Sequence, residues 1–313
     1  MNIVFFGTSE FAIPSLRALL DSGHKALAVV TQPDRKSGRN LKLSPSPVKV
    51  LAIAKYIPVF QPWCASDTES MSYLKKLNAD LFIVISFGQI LKREILSIPK
   101  LYAINVHGSL LPKYRGAAPT NWAVMNGDNV SGVTVIKLNE KMDEGDVILR
   151  RETAIDADDT NITLTEKLSE TGAAALIEAM SMIENGSANL EKQDSAKATY
   201  APKLKKEDGL IDWNQGAVRI HNKVRGLLPW PGAYTYYDGK ILKILKTEVL
   251  PPQAGSGDMG EVVDIAKDKG IIVRTGSGGL AIQYLQLEGK RDLDAGSFIR
   301  GHRIERGYKF IAK

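Results

Sequence analysis

The amino-acid sequence predicts an α/β protein: a mostly parallel sheet with helices, followed by a small antiparallel barrel or sandwich near the C-terminus. Three observations predict it. The chain opens strand–helix–strand, an order that builds parallel sheets through right-handed crossovers. Apolar strands alternate with helical patterns as far as the Asn185-Gly186 stop. From Ile211 onward the texture changes to short strands separated by Gly- and Asp-rich turns.

Taken in order, residues 2–6 form a β-branched and aromatic strand closed by Gly7-Thr8. A helix follows over 9–21, with Leu16, Leu19 and Leu20 on one side and Gly23 as its stop. Residues 26–31 make the second strand. Gly7-Thr8-Ser9 is not a G-x-G-x-x-G fingerprint, so a dinucleotide cofactor has no support. Residues 32–47 are a loop dense in Pro, Gly, Ser and charge. It is either a surface connection or an arm that orders on a phosphate backbone through Arg35, Lys36, Arg39 and Lys42. Helices are expected over 48–55, 67–77 and 92–96, and strands over 59–60, 80–86 and 101–106. Beyond these lie a helix at 120–125, a strand at 132–138, an acidic turn, and a strand from Val147. An amphipathic helix then spans 163–185, with polar chain after it. The last part carries a helix at 214–225 and strands at 233–237, 240–249, 260–265, 270–274 and 279–286.

Composition narrows the class. With 44% hydrophobic and 24% charged residues, 313 residues suffice for two domains with ordinary cores. The formal charge of +6 is unevenly placed. Residues 201–313 hold 19 Lys and Arg against 13 Asp and Glu, whereas residues 1–200 balance at 22 of each. A basic domain beside a neutral one suggests a polyanionic partner. Cys64 is the single cysteine, which excludes an internal disulfide and a spaced Cys/His zinc site. Glu10 interrupts the apolar start, so no signal peptide is expected, and no apolar run reaches the length of about 18 residues that a membrane span needs. A cytoplasmic protein without a membrane partner is the expectation.

The chemistry gathers after the strand at 101–106, in Asn105-Val106-His107-Gly108-Ser109-Leu110-Leu111-Pro112 and on through Lys113-Tyr114-Arg115-Gly116-Ala117-Ala118-Pro119. Ligands of open α/β sheets collect beyond the carboxyl ends of the strands. Asn105 and His107 are two apart and project from one strand face. With a carboxylate from the acidic turn, Asp143, they form an amide, imidazole and carboxylate set able to bind an oxyanion and move a proton between nitrogens. Singly, each has a duller reading as a turn, capping or solvated residue; the joint placement at strand ends favours chemistry. Ser109 lacks the G-x-S-x-G elbow, so no serine triad is expected.

These motifs resemble the signature of the methionyl-tRNA formyltransferase family, within the broader group of folate-dependent formyltransferases and hydrolases. Similar stretches run along nearly the whole chain: Phe6-Gly7-Thr8-Ser9-Glu10-Phe11-Ala12, Thr31-Gln32-Pro33-Asp34-Arg35, Pro45-Ser46-Pro47-Val48-Lys49, Val59-Phe60-Gln61-Pro62 and Pro229-Trp230-Pro231-Gly232-Ala233. The resemblance implies a Rossmann-like catalytic domain over residues 1–188, a linker over 189–206, and an OB-like barrel domain over 207–313 on the tRNA side. It implies that Asn105 and His107 bind and polarise the formyl oxygen of 10-formyltetrahydrofolate, with Asp143 orienting His107 and relaying protons. Ser109, Leu110, Leu111 and Pro112 would line the folate pocket, with Phe87, Gly88 and Ile90 near the pterin. Arg35, Lys36, Arg39 and Lys42 would contact initiator tRNA, Arg39 foremost. No metal is implied, and a monomer is expected. The acidic turn departs from the family pattern, with Lys141 in place of a Gly and Glu144 in place of a Thr. The Asp143-x-Gly145-Asp146 core is kept, which favours Asp143 and leaves Asp146 open. The competing readings are formyl transfer to a UDP-aminosugar or another nucleotide-linked amine, and a nucleic-acid-binding protein without catalysis.

Overall fold

The computed structural model describes residues 1–37, 42–251 and 257–310. They fall into two compact units, one of Met1–Pro119, Val130–Ala154 and Thr165–Pro202, the other of Thr120–Asn129, Ile155–Leu164 and Lys203–Lys313.

The first unit is built on seven strands: β1 (Asn2–Gly7), β2 (Lys25–Val30), β3 (Val59–Phe60), β4 (Leu81–Ile85), β5 (Tyr102–His107), β6 (Val130–Lys137) and β7 (Val147–Ala154). Their order across the sheet is β7-β6-β5-β4-β1-β2-β3. β3, β2, β1, β4 and β5 run parallel. β6 is antiparallel to β5, and β7 to β6. The mostly parallel sheet is therefore present, with an antiparallel edge. A short turn joins β6 to β7, which allows only the antiparallel arrangement. β4 is buried at every position, as a central strand covered on both faces must be. Withdrawing each such side chain from water stabilises the fold by about 1.5–3 kcal/mol.

Among the described residues six α-helices occur in the chain up to Glu184: α1 (Ile13–Asp21), α2 (Pro47–Ala54), α3 (Thr68–Lys76) and α4 (Arg93–Leu96) in the first unit, α5 (Pro119–Asn126), which belongs almost wholly to the second, and α6 (Asn161–Glu184), whose first turn is counted with the second and the rest with the first. Their starts are legible locally. Ser46 accepts a hydrogen bond from Lys49 N at 3.0 Å to cap α2, and Asp67 accepts one from Ser70 N at 2.7 Å to cap α3. On one side of the sheet Phe6 packs against Phe82 and Phe87, with ring centroids 5.1 and 5.4 Å away. Gly172 lets α6 lie close to the sheet, since a Cβ there would stand 3.1 Å from Val106 Cγ1. The stretch 32–47 is not loop throughout. Arg35–Ser37 and Lys42–Ser44 pair as two short antiparallel strands, a pairing that its charged, Gly- and Pro-rich sequence does not announce. The polar chain after α6 is tied into the same unit. Glu191 exchanges backbone hydrogen bonds with Val147 at 2.8 and 2.9 Å, and Tyr200–Ala201 runs parallel beside Arg115–Gly116.

The second unit holds α7 (Ala217–Gly226), the strands β8 (Ala233–Tyr237), β9 (Lys240–Leu250), β10 (Val262–Ala266), β11 (Gly270–Arg274), β12 (Gly279–Leu287) and β13 (Asp292–Asp294), and α8 (Ala295–Gly301). The antiparallel order is β8-β9-β12-β11-β10, with β13 also on β12. Ile220 and Val224 of α7 join Leu242, Ile244, Ile271, Val273, Leu280 and Ile282 in its core. β13 and α8 were not expected. Asp294 caps α8 by accepting from Ser297 N at 2.8 Å, and the buried Phe298 anchors it. No described helix is long and apolar enough to cross a membrane.

Candidate active site

The chain places β2 and β3 on one side of β1 and β4 on the other, so the strand order switches direction between β1 and β4. Crevices at the carboxyl ends of strands beside such a switch are where α/β sheets bind ligands. Thr8 follows β1, Gln32 follows β2, Phe87-Gly88 follows β4, and Gly108-Ser109 follows β5. The Thr8 hydroxyl donates to Phe87 O at 2.9 Å and so ties two of these ends together.

His107 is the last residue of β5 and only 6% exposed. Its Nε2 lies 2.9 Å from Tyr114 O. A carbonyl only accepts, so Nε2 carries the proton, which fixes the ring. Nδ1 then faces Asp143 Oδ1 at 3.6 Å. Asn105 is two positions earlier on the same strand, and its side chain makes no hydrogen bond to another described residue. A donor amide and a proton-bearing pair thus share one sheet end.

The carboxylate facing His107 comes from a turn with little freedom. Asp143 has a φ of 55°, a left-handed conformation unusual for a residue with a Cβ. Its Oδ2 accepts from Gly116 N at 2.8 Å. Gly145 cannot carry a side chain, because a Cβ would stand 1.8 Å from Lys137 O. The turn backbone also closes through Lys137 N donating to Asp146 O at 2.8 Å.

The loop after His107 is knit to β6 and β7. Ser109 donates to Lys113 O at 2.6 Å, while Thr134 Oγ1 donates to Ser109 O at 2.7 Å and accepts from Leu111 N at 3.0 Å. Arg150 Nε donates to Leu111 O at 3.0 Å. Leu110 lies against Gly132, where a Cβ would come within 2.5 Å of Leu110 Cδ2. Leu111 is buried with Ile136 and Val147, and Pro112 is half-buried. Of the residues expected around folate, Phe87 has its ring in the core, whereas Gly88 and Ile90 are exposed. Gly88 has a φ of 88°, and its nearest neighbour in the Cβ direction is Gln32 Cγ at 3.8 Å. Gln32 is buried and its Oε1 accepts from Arg35 at 2.9 Å; its Nε2 has no hydrogen-bond partner among the described residues. An orphaned donor at a strand end is costly unless a ligand completes it.

Arg35 of the expected cationic set is exposed and donates to Gln32 Oε1, and Lys36 and Lys42 lie on the paired short strands. Arg39 lies outside the described residues. Nearby, hydrogen bonds from Lys49 and then Gln61 hold the Asp34 carboxyl below the usual carboxylate range. Three contributors were given no role by the sequence reasoning. Arg115, 2% exposed, pairs with Glu144 at 3.2 Å. Gln193 bonds both Arg115 and the acidic turn. Arg115 stood in the quoted motif without a role, Glu144 was noted only as a departure, and a lone Gln in polar chain carries no signal. Among the described residues no group of three or more His, Cys, Asp or Glu is arranged to hold a metal ion.

Comparison with known proteins agrees along the whole chain. The formyl transferase family model matches residues 1–180, and the formyl transferase C-terminal domain model matches 203–303. The chain is 48% identical over 307 residues to the methionyl-tRNA formyltransferase of Citrifermentans bemidjiense, covering 98% of this chain and 95% of that one. It is 46% identical over 307 residues to the methionyl-tRNA formyltransferase of Geobacter sulfurreducens, covering 98% and 96%. In fold it is similar to the N-formyltransferase of Helicobacter canadensis, solved with folinic acid and dTDP-3-aminofucose, with a TM-score of 0.67 at 20% identity over 90% of this chain and 98% of that one. With two domain models in sequence order and near-half identity over almost its full length, the chain belongs to the methionyl-tRNA formyltransferase family.

Proposed function

We propose that this protein transfers the formyl group of 10-formyltetrahydrofolate to the α-amino group of methionyl initiator tRNA, by direct attack of the amine. The observation that carries the chemistry is the placing of Asn105, whose amide has no partner among the described residues, two positions before His107 on the strand whose end faces Asp143. The acceptor follows from the two relatives at 46 and 48% identity over nearly the full chain.

The residues present fit a folate-type donor. The backbone at Gly88 is open, and the buried Gln32 amide has a donor to spare for a polar ring edge. When bound, the folate supplies the one-carbon unit on N10. Asn105 donates to the formyl oxygen and holds the negative charge that grows there as the amine adds. His107, with Nε2 committed to Tyr114 O, exchanges protons through Nδ1. Asp143 faces that nitrogen, orients it, and carries the proton lost by the attacking amine toward the departing N10. The new bond joins the amine nitrogen to the formyl carbon, and the bond to N10 breaks. Ser109, Leu110, Leu111 and Pro112 hold the loop that walls this site, with Phe87, Gly88 and Ile90 on its other flank.

The tRNA contacts are assigned to Arg35, Lys36, Arg39 and Lys42, and to the basic C-terminal domain over 207–313, beyond a linker at 189–206. The protein is taken to act as a cytoplasmic monomer. The test is incubation with labelled 10-formyltetrahydrofolate and, in parallel, methionyl initiator tRNA or UDP- and dTDP-aminosugars. Label appears in the methionyl-tRNA. Label in a sugar nucleotide alone would overturn the acceptor assignment.

A further inference from the structure

The acidic turn holds a conformation that its own residues do not favour. Asp143 sits at a φ of 55°, a left-handed conformation that strains a residue with a Cβ. Its carboxylate is nonetheless aimed at His107. The feature that braces it is a side chain 50 residues away. The Gln193 amide donates to Asp143 O at 2.8 Å and to Gly145 O at 2.8 Å, grasping the carbonyls on both sides of Glu144. At its other end, Gln193 Oε1 accepts from Arg115 Nε at 3.1 Å and from a terminal Arg115 nitrogen at 2.8 Å. The remaining terminal nitrogen of Arg115 meets Glu144 at 3.2 Å, and Glu144 also meets Lys141 at 3.5 Å. Gly116, next to Arg115, is the donor to Asp143 Oδ2.

We propose that Gln193 is a positioning residue for formyl transfer. Its carboxamide clamps the loop at Arg115–Gly116 to the turn at Asp143–Gly145, and so sets the Asp143 carboxylate against His107. Both loops bear on one carboxylate, so their separation decides where its oxygens fall. A Gln is suited to this where charged residues are not. It presents donors to two carbonyls and an acceptor to a guanidinium, and it adds no charge beside Asp143. A displacement of about 1 Å in a catalytic group can cost about 100-fold in rate. Glu144 completes the clamp by supplying the counter-charge that buried Arg115 needs.

This inference rests on the catalytic reading of Asp143, and the experiment separates the two. Turnover of 10-formyltetrahydrofolate with methionyl initiator tRNA is measured for Gln193→Leu, Gln193→Glu, Asp143→Asn and the double variant Gln193→Leu/Asp143→Asn, with thermal unfolding of each. Gln193→Leu keeps the volume and loses both ends of the clamp. Gln193→Glu keeps the acceptor toward Arg115, loses the donors to the turn and places a charge beside them. Both lower kcat by about 10- to 100-fold with KM for either substrate within about 2-fold. In the Asp143→Asn background, Gln193→Leu adds less than about 2-fold, because the two residues act through one carboxylate. Wild-type kcat in Gln193→Glu beside an impaired Asp143→Asn overturns the proposal alone. So does an equal loss from Gln193→Leu in both backgrounds. Wild-type kcat in Asp143→Asn overturns the reading of the turn, and the proposal with it.

Discussion

His107 in the first unit and His221 in the second are both withdrawn from solvent, yet their neighbours are of opposite kind. His107 has an oxygen acceptor on each side, Tyr114 O at 2.9 Å and the Asp143 carboxylate at 3.6 Å. His221 has the Thr247 hydroxyl at 2.9 Å and a guanidinium nearby. Burial, and then the Arg225 charge, push the His221 imidazole down to about 4, against a smaller upward pull from Thr247. The difference teaches what burial beside a cation does to a histidine. Without a carboxylate it becomes a neutral packing residue, whereas a strand-end imidazole facing a carboxylate is equipped to pass a proton.

The sharpest break of this contrast is Asp143→Asn, which keeps the shape and removes the charge facing His107. Turnover falls by about 10²- to 10⁴-fold while affinity for initiator tRNA stays nearly intact; steady-state kinetics beside a binding titration check both. Next comes Asn105→Ala, which removes the amide assigned to the formyl oxygen and lowers kcat by about 10²- to 10³-fold. A loss confined to KM would instead make Asn105 a binding residue.

His221 yields a smaller effect, on stability. Unfolded, its ring binds a proton near 6.5; folded, it refuses one until about 4. Between those values the unfolded state holds the extra proton. The contribution is thus fully present above pH 6.5 and drains away as pH falls toward 4. It amounts to about 2 kcal/mol after allowance for solvent screening. Thermal unfolding at stepped pH should show this slope in the wild type and a flatter one in His221→Gln, with kcat at pH 7.5 unchanged. The smallest effect belongs to the cationic loop: Arg39→Ala weakens tRNA use and reduces the salt slope by about 1. Identical slopes measured across a salt series would remove Arg39 from the interface.

The sheet was readable because its strands are apolar runs, such as the five buried residues of β4, punctuated by Gly and Pro. Asn105, His107 and the acidic turn were readable because strand ends in such sheets are where chemistry collects. What the sequence hides are relations between distant segments. Nothing local says that β6 turns antiparallel to β5, or that residues 35–37 pair with 42–44. α8 had a visible start, Asp294 three residues before Ser297, but Gly296 and Gly301 blurred the helical pattern. Gln193 was invisible in principle: its role exists only once the chain brings Arg115 and Gly145 to either end of one carboxamide.

The short parallel pairing of Arg115–Gly116 with Tyr200–Ala201 bears on how the molecule is made. A nascent chain leaves the ribosome with its first five parallel strands well before residue 201, and those strands can already collapse around their aromatic core. The partner that flanks Gly116 arrives only later. Fragments cut shortly after the long helix should therefore hold a sheet yet remain inert, and adding the missing piece in trans should awaken them.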